Sequence, residues 1–174
     1  MPVKVEVDRK SLKNLIDVMQ SLYGDKAINI IGRASKRAAV AARTSATKKI
    51  RAIYTMKARD MKNRSKITQK GSSTTLHIEG AMESVKKYKA KERKKGVFVS
   101  VKKGGGKVLP RSFHYAGEFM QRDTEKRLPI HSLYGPAVPQ LFGNAAVIDT
   151  MSERGLEMFE KRLLHEFGRL LGGA

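Results

Sequence analysis

The feature that most constrains the fold of this chain is a long stripe of small apolar side chains at helical spacing. The stripe runs from about residue 26 to residue 56 and consists of Ile28, Ile31, Ala34, Ala38, Ala41 or Ala42, Ala46, Ile50 and Ile53. Apolar residues three or four positions apart lie on one side of an α-helix. Because the middle of the stripe is mostly alanine, a neighbouring element can approach closely there. We therefore expect one long amphipathic helix.

The opposite side of the same helix is strongly basic. Its cations are Arg33, Lys36, Arg37, Arg43, Lys48, Lys49 and Arg51. A basic amphipathic helix can lie on a membrane surface, but an alanine-rich stripe without Trp or Phe would insert weakly, so no membrane partner is predicted. These seven side chains are candidates to face DNA or an acidic protein.

The excess positive charge is concentrated in the middle of the chain. The formal net charge is +20, and residues 33–107 carry 23 Lys and Arg against 4 Asp and Glu. A field of this size attracts polyanions whatever their sequence. Nucleic acid is one candidate partner, and an acidic protein surface, for example in a ring of subunits, is another. A basic face that serves only solubility is the third interpretation.

Shorter elements are predicted on both sides of the long helix. Before it, alternating valines predict a strand over residues 3–7, and Asp8 is placed to cap a helix that begins near Arg9 and ends at Gly24. After it, residues 57–70 are basic and poor in apolar side chains, which indicates an extended arm or a short irregular helix.

Strands are predicted farther along the chain, and a helix closes it. Residues 74–78 and 97–101 alternate in polarity, and a glycine-rich turn at 102–107 predicts a hairpin with one or two strands within 108–120. Helical spacing returns from about residue 144 to residue 171. We predict a single α+β domain over the whole chain. It has two N-terminal helices, one of them long and basic, a small antiparallel sheet with a hairpin, and a C-terminal helix.

Few residue patterns suggest catalysis. The chain has no cysteine, and its four histidines are far apart in the sequence. None of them pairs with a second histidine or with a carboxylate at the spacing of metal ligands. Asp8-Arg9-Lys10 matches a fragment found in some nucleases, but a capped helix start explains it. No nucleophile elbow surrounds Ser112 or Ser132.

The glycine run before Lys107 is also not a phosphate-binding loop. It lacks the wider glycine spacing of that motif, and Val108 stands where a hydroxyl residue is needed. We therefore predict a protein that is not an enzyme and holds no metal and no cofactor. The N-terminus lacks the apolar core of a signal peptide, and no stretch reaches the length of a membrane span. A soluble protein made in the cytoplasm is expected.

The most distinctive segment is the proline-punctuated stretch at residues 127–143. Each proline fixes its own φ and biases the preceding residue to an extended form, and Gly135 before Pro136 is expected to allow a tight reversal. We predict a rigid loop that packs either on its own domain or on a neighbouring subunit. Its candidate partner-binding residues are Arg127, Leu128, Pro129, Ile130, Leu133, Tyr134, Gly135, Pro136 and Pro139.

This segment resembles the RLPI…LYGPSVPQM-type signature of the phage minor tail protein Z family of lambda-like siphophages. The order of elements around it is also similar, with a basic helical N-terminal half, strands, the proline motif and a C-terminal helix. The chain departs from the signature at Ala137, where a serine is expected, and at Leu141-Phe142 after Gln140.

The resemblance implies a tail completion or head–tail connector protein in the virion, at the head-proximal end of the tail and assembled in the host cytoplasm. Its implied partners are other tail proteins, namely the tail terminator, the tape measure and neck proteins, and phage DNA phosphates are a further candidate. The symmetry common in tails implies a homo-oligomeric ring, with a hexamer as the first expectation. The alternatives are a stand-alone, non-sequence-specific nucleic-acid-binding protein and an enzyme of nuclease type.

Overall fold

The structure of the protein, a computed structural model, describes residues 10–171. This part of the chain contains four α-helices: α1 (Lys10–Ile53), α2 (Ala58–Asn63), α3 (Val138–Phe142) and α4 (Ala145–Leu171). It also contains ten strands: β1 (Ser65–Lys70), β2 (Ser73–Ile78), β3 (Met82–Ser84), β4 (Lys89–Arg93), β5 (Gly96–Ser100), β6 (Lys107–Leu109), β7 (Ser112–Tyr115), β8 (Glu118–Arg122), β9 (Ile130–Ser132) and β10 (Tyr134–Ala137). The predicted mixture of helices and antiparallel strands, with a long N-terminal helix and a C-terminal helix, is confirmed.

The chain forms two compact units. The first, called the helical unit, comprises residues 10–46, 65–78 and 143–171 of the described chain, and the second, called the sheet unit, comprises residues 47–64 and 79–142. The prediction of a single domain over all 174 residues stays a prediction. None of the helices in the described residues combines the length and apolar character that a bilayer-spanning segment requires.

The helical unit is built around the predicted apolar stripe of α1. Ile31, Ala34, Ala42 and Ala46 are buried as expected, whereas Ile28 is partly exposed and its neighbours Ala27 and Ile30 are buried instead. The core that surrounds them consists of Met19, Ala27, Ile30, Ile31, Ala34, Phe159 and Leu163.

Small residues let α1 and α4 approach closely. A Cβ added at Gly155 of α4 would lie 3.4 Å from the Cβ of Ala42. The Ser45 hydroxyl donates a hydrogen bond of 3.2 Å to the carbonyl of Thr150, also on α4. The close approach that the alanine stripe predicts is therefore present.

The two predicted N-terminal helices form a single element with a sharp kink. At Gly24 the backbone has φ 48° and ψ −124°, and the helix continues on both sides of it. The sequence placed the break at the right residue, and the two predicted helices are the two segments of this kinked element. The strand predicted over residues 3–7, the Asp8 cap and the helix start near Arg9 lie outside the described residues.

A hairpin of β1 and β2 completes the helical unit. Strand β2 confirms the strand predicted at residues 74–78, whereas β1 lies within residues 57–70, where the sequence predicted an extended arm or a short irregular helix. The tip of the hairpin packs on α1, because a Cβ at Gly32 would lie 2.6 Å from the carbonyl oxygen of Gly71. The hydroxyl of Ser35 hydrogen bonds the carbonyl of Ser72 at 3.0 Å and the hydroxyl of Thr74 at 2.8 Å. Gly32 and Ser35 thus form the docking point of the hairpin.

The sheet unit contains three small antiparallel sheets rather than the single sheet that was predicted. Their strand orders are β3–β10, β4–β5–β6 and β7–β8–β9. The hairpin across the glycine-rich turn is confirmed, since β5 pairs with β6 around it. Strand β4, which comes from a lysine-dense run, was not predicted.

The stretch at residues 127–143 is not a loop, and that prediction was wrong. It forms β9, β10 and the short helix α3, which follow one another almost without interruption. The predicted C-terminal helix is confirmed as α4. The Asn144 side chain accepts a hydrogen bond of 3.1 Å from the Ala146 N–H, as a helix N-cap does.

Candidate macromolecular interfaces

The proline segment is held in the sheet unit by backbone hydrogen bonds on two sides. Strand β9 pairs with β8, and the Leu133 N–H that follows it donates 2.8 Å to the carbonyl of Phe119. The Leu133 carbonyl accepts a 3.1 Å bond from the Val85 N–H, and β10 pairs with β3. The segment is therefore part of two sheets at once.

Tyr88 packs against β10 at Gly135 and Pro136. Its hydroxyl donates a 2.6 Å hydrogen bond to the Pro136 carbonyl, and its ring lies where a side chain on Gly135 would stand. Burial raises the pKa of the Tyr88 phenol, and the negative charge of Glu83 raises it further. The phenol therefore stays protonated and keeps its role as a donor. Gly135 itself lies within β10, so the predicted tight reversal there is wrong.

Glu83 of β3 anchors the same region electrostatically. Its carboxylate is buried and accepts from Arg64 Nε and from Lys87 Nζ, each at 2.8 Å. Burial alone would raise the pKa of Glu83, but the hydrogen bonds and charges of Lys87 and Arg64 outweigh it and hold the pKa below its usual value. Because Glu83 pairs with Gly135 across the two strands, this ion cluster stabilises the strand that carries Tyr134.

The predicted partner-binding residues divide into exposed and internal ones. Leu128 and Tyr134 are 65% and 57% exposed, and Arg127 and Pro129 are also exposed. Leu133 is buried, and four others are half-buried: Ile130, Gly135, Pro136 and Pro139. The first group is available to a partner, whereas the second group holds the segment to its own unit.

The seven cations predicted on the long helix are divided between the two units. In the helical unit, Arg33, Lys36 and Arg37 line a cleft of about 330 Å³ together with Val40, Arg162 and Glu166. Arg33 Nη2 lies 3.0 Å from the Glu166 carboxylate. Arg43 is half-buried in the same unit. Lys48, Lys49 and Arg51 belong to the sheet unit.

Most of the net charge lies in the sheet unit, which contains residues 47–64 and 79–107 of the basic stretch at 33–107. This unit carries 21 Lys and Arg against 7 Asp and Glu, whereas the helical unit, termini included, carries 15 against 9. Residues 86–107 alone hold ten cations and one carboxylate, that of Glu92. The alternating cations of β4 could have indicated a charged strand in the sequence. They lack the apolar alternation by which strands are predicted, so the strand was missed.

Among residues 10–171, no group of three or more His, Asp and Glu side chains is placed to hold a metal ion. His131 Nδ1 lies 2.6 Å from Asp123 Oδ1, and both side chains are about half exposed. An isolated exposed pair of this kind serves as a surface ion pair when the histidine is protonated.

No protein-family model, no curated protein and no solved structure matches the chain.

Proposed function

We propose that the protein is a structural component of a phage tail that acts at the head-proximal end as a completion or connector protein, and that it is not an enzyme. The observation that carries this proposal is the proline segment, which resembles the tail-family signature in sequence. In the fold it presents Leu128 and Tyr134 to solvent from a backbone fixed by two sheets.

The geometry of the segment suits an assembly contact. Tyrosine is enriched among the residues that dominate binding energy, and a fixed backbone lowers the conformational entropy lost on binding. Tyr134 is such a side chain, because its strand is held by the Glu83 ion cluster and by the Tyr88 hydroxyl on Pro136. The proposed partners are the tail terminator, the tape measure and neck proteins.

The net charge of +20 suits a homo-oligomeric ring, with a hexamer as the first expectation, around the path of the phage DNA. A basic lining lowers the electrostatic free energy of DNA inside such a ring. The same charge supports the second candidate function, a non-sequence-specific nucleic-acid-binding protein outside any tail. Electron microscopy separates the two, because only the first predicts rings or tail-bound density.

The decisive experiment is complementation of a phage that lacks this gene with Tyr134→Ala and, as a matched control, Tyr115→Ala. Tyr115 belongs to the same unit and is 62% exposed. We expect Tyr134→Ala to lower the yield of infectious particles by at least about tenfold, the effect of losing roughly 1.4 kcal/mol or more of binding. Tyr115→Ala should leave the yield unchanged.

Equal yields for wild type and Tyr134→Ala would refute the assembly role of the segment. Substitutions at Gly135 are not a clean test, because an added Cβ would lie 2.7 Å from the Tyr88 ring and disturb the fold itself. Gene context gives an independent check, since genes for tail terminator and tape-measure proteins should flank this one.

A further inference from the structure

The pairing of β4, β5 and β6 places three cations on one face of a small sheet. Side chains two residues apart on a strand point to the same face, so Lys89, Lys91 and Arg93 of β4 share one. Lys91 pairs with Phe98 of β5, and Phe98 pairs with Val108 of β6. We call this surface, formed by Lys89, Lys91, Arg93, Phe98 and Val108, the basic sheet face.

No carboxylate from the three strands lies on the basic sheet face. Glu92, the acidic residue of β4, points to the opposite face, where it accepts a 3.3 Å hydrogen bond from the His114 N–H. Within the described residues, none of the three cations of the face forms an ion pair. All three are exposed, and Val108 is 39% exposed. Their charge is therefore available to an external anion.

The centre of the face is closely packed. The Phe98 ring packs against Gly106, where any Cβ would overlap the ring. The guanidinium carbon of Arg93 lies 5.1 Å from the Phe98 ring centroid, within the range of a cation–π contact. The Phe98 ring thus supports the Arg93 guanidinium on the face, and more cations flank the face at the two turns, at Lys94 and Lys95 and at Lys102 and Lys103.

We propose that the basic sheet face binds the phosphate backbone of duplex DNA and is the main DNA contact of the protein, in place of the cations of α1. Protein–protein interfaces are depleted in lysine at their centre, whereas protein–DNA interfaces are more polar and much more positively charged. A face with three unpaired cations and one half-buried aromatic ring matches the second type. Contacts to phosphates predict binding without sequence preference.

The inference rests on the proposed function only for its biological setting, because DNA binding is measured on the isolated full-length protein. We propose to measure binding to two unrelated duplexes by fluorescence anisotropy over a range of NaCl concentrations. The test variant is Lys89→Gln, Lys91→Gln and Arg93→Gln combined. The control is Arg33→Gln, Lys36→Gln and Arg37→Gln combined, which removes the same charge from the helical unit.

For the wild type we expect equal affinity for both duplexes and a steep salt dependence. Each phosphate contact contributes about −0.9 to the slope of log K against log salt, so the test variant should flatten the slope by roughly 2 to 3. The control should change it by less than about 1. Equal flattening in both variants, or no binding by the wild type at low salt, would overturn the proposal.

A footprint on the wild-type protein tests the proposal without any variant. Lysine acetylation followed by mass spectrometry should show Lys89 and Lys91 protected by duplex DNA, with Lys36 modified at its free rate. Protection of Lys36 in place of the two sheet lysines overturns the proposal. Stronger binding of the face to a polyglutamate peptide than to duplex DNA also overturns it and assigns an acidic protein partner. A normal Tyr134→Ala phenotype has no bearing on either result, so the two failures are distinguishable.

Discussion

Glu83 is a buried carboxylate whose two oxygens are held by different cations, Arg64 and Lys87. The side chains of the two cations are 45% and 37% exposed, so water hydrates them if the carboxylate is lost. Removing the charge of Glu83 is therefore less harmful than breaking a fully buried pair. Each of the two charge-assisted hydrogen bonds contributes no more than about 3 kcal/mol to the free energy of unfolding.

We predict that Glu83→Gln lowers the free energy of unfolding by about 1–3 kcal/mol at neutral pH. Because the folded-state pKa of Glu83 lies below its unfolded value of about 4.3, the stabilisation is present above that value. It is lost as pH falls through the folded pKa. Urea unfolding at pH 7, 5 and 3 should show the difference between wild type and variant shrinking at the lowest pH. Glu125→Gln, at an exposed position, is the control and should stay within about 0.5 kcal/mol of wild type. A difference that is the same at pH 7 and pH 3 would contradict the role of the charge.

At the scale of elements, the kink of α1 sets how its two segments share one core. Met19 before the kink and Ala27 after it are both fully buried in that core. Gly24 adopts φ 48° and ψ −124°, which side chains other than glycine rarely tolerate. Alanine prefers a helix interior over glycine by about 1 kcal/mol, but a straightened helix would move one of the two segments off the core.

We predict that Gly24→Ala lowers the free energy of unfolding by about 1–2 kcal/mol, because backbone strain outweighs the gain in helix propensity. The matched control is Gly168→Ala in α4, where an added Cβ meets nothing within 4 Å and φ is not positive. This control should stabilise the protein by up to about 1 kcal/mol. Thermal or chemical unfolding of both variants gives the comparison, and a stabilising Gly24→Ala would show that the kink is not required.

The long helices α1 and α4 could be predicted from the sequence, whereas strand β4 could not. A buried stripe at helical spacing marks α1 and α4 whatever else surrounds them. In β4, however, Lys89, Lys91 and Arg93 alternate with Ala90 and Glu92, so no apolar period is present. Its pairing with β5 creates the strand, and that pairing depends on residues outside it.

The proline segment was predicted as a loop because each proline fixes its own φ and biases the residue before it. Proline also cannot donate a backbone hydrogen bond to a sheet. The structure places each proline where that loss is harmless. Pro129 precedes β9, Pro136 falls at the register shift between Gly135 and Ala137 in β10, and Pro139 lies in the first turn of α3. Such an arrangement depends on the neighbouring strands β3 and β8, which the local sequence does not reveal.

At the scale of the whole molecule, the sequence points to basic residues as a candidate site, and the structure brings only some of them together. The sequence identified a basic protein and the cations Arg33, Lys36 and Arg37, which the structure brings together at one cleft with Arg162. Arg162 lies far along the chain, so tertiary packing alone makes it a neighbour. The basic sheet face needs the register of three strands, and no periodicity in the sequence specifies that register.

The net charge of +20 must also govern self-association. Protomers of like charge repel one another, and salt screens that repulsion over about 10 Å at 0.1 M and about 3 Å at 1 M. A ring of this protein therefore needs either screening or a polyanion in its centre.

We predict a monomer at low ionic strength and a closed oligomer either at high ionic strength or when short duplex DNA is added at low ionic strength. Sedimentation velocity across a salt series measures this, with sucrose as an uncharged control that should leave the monomer unchanged. A ring that persists at low salt without DNA would show that apolar contacts overcome the repulsion unaided. A monomer under every condition would remove the ring from the proposed function, while the Tyr134 contact with other tail proteins could still stand.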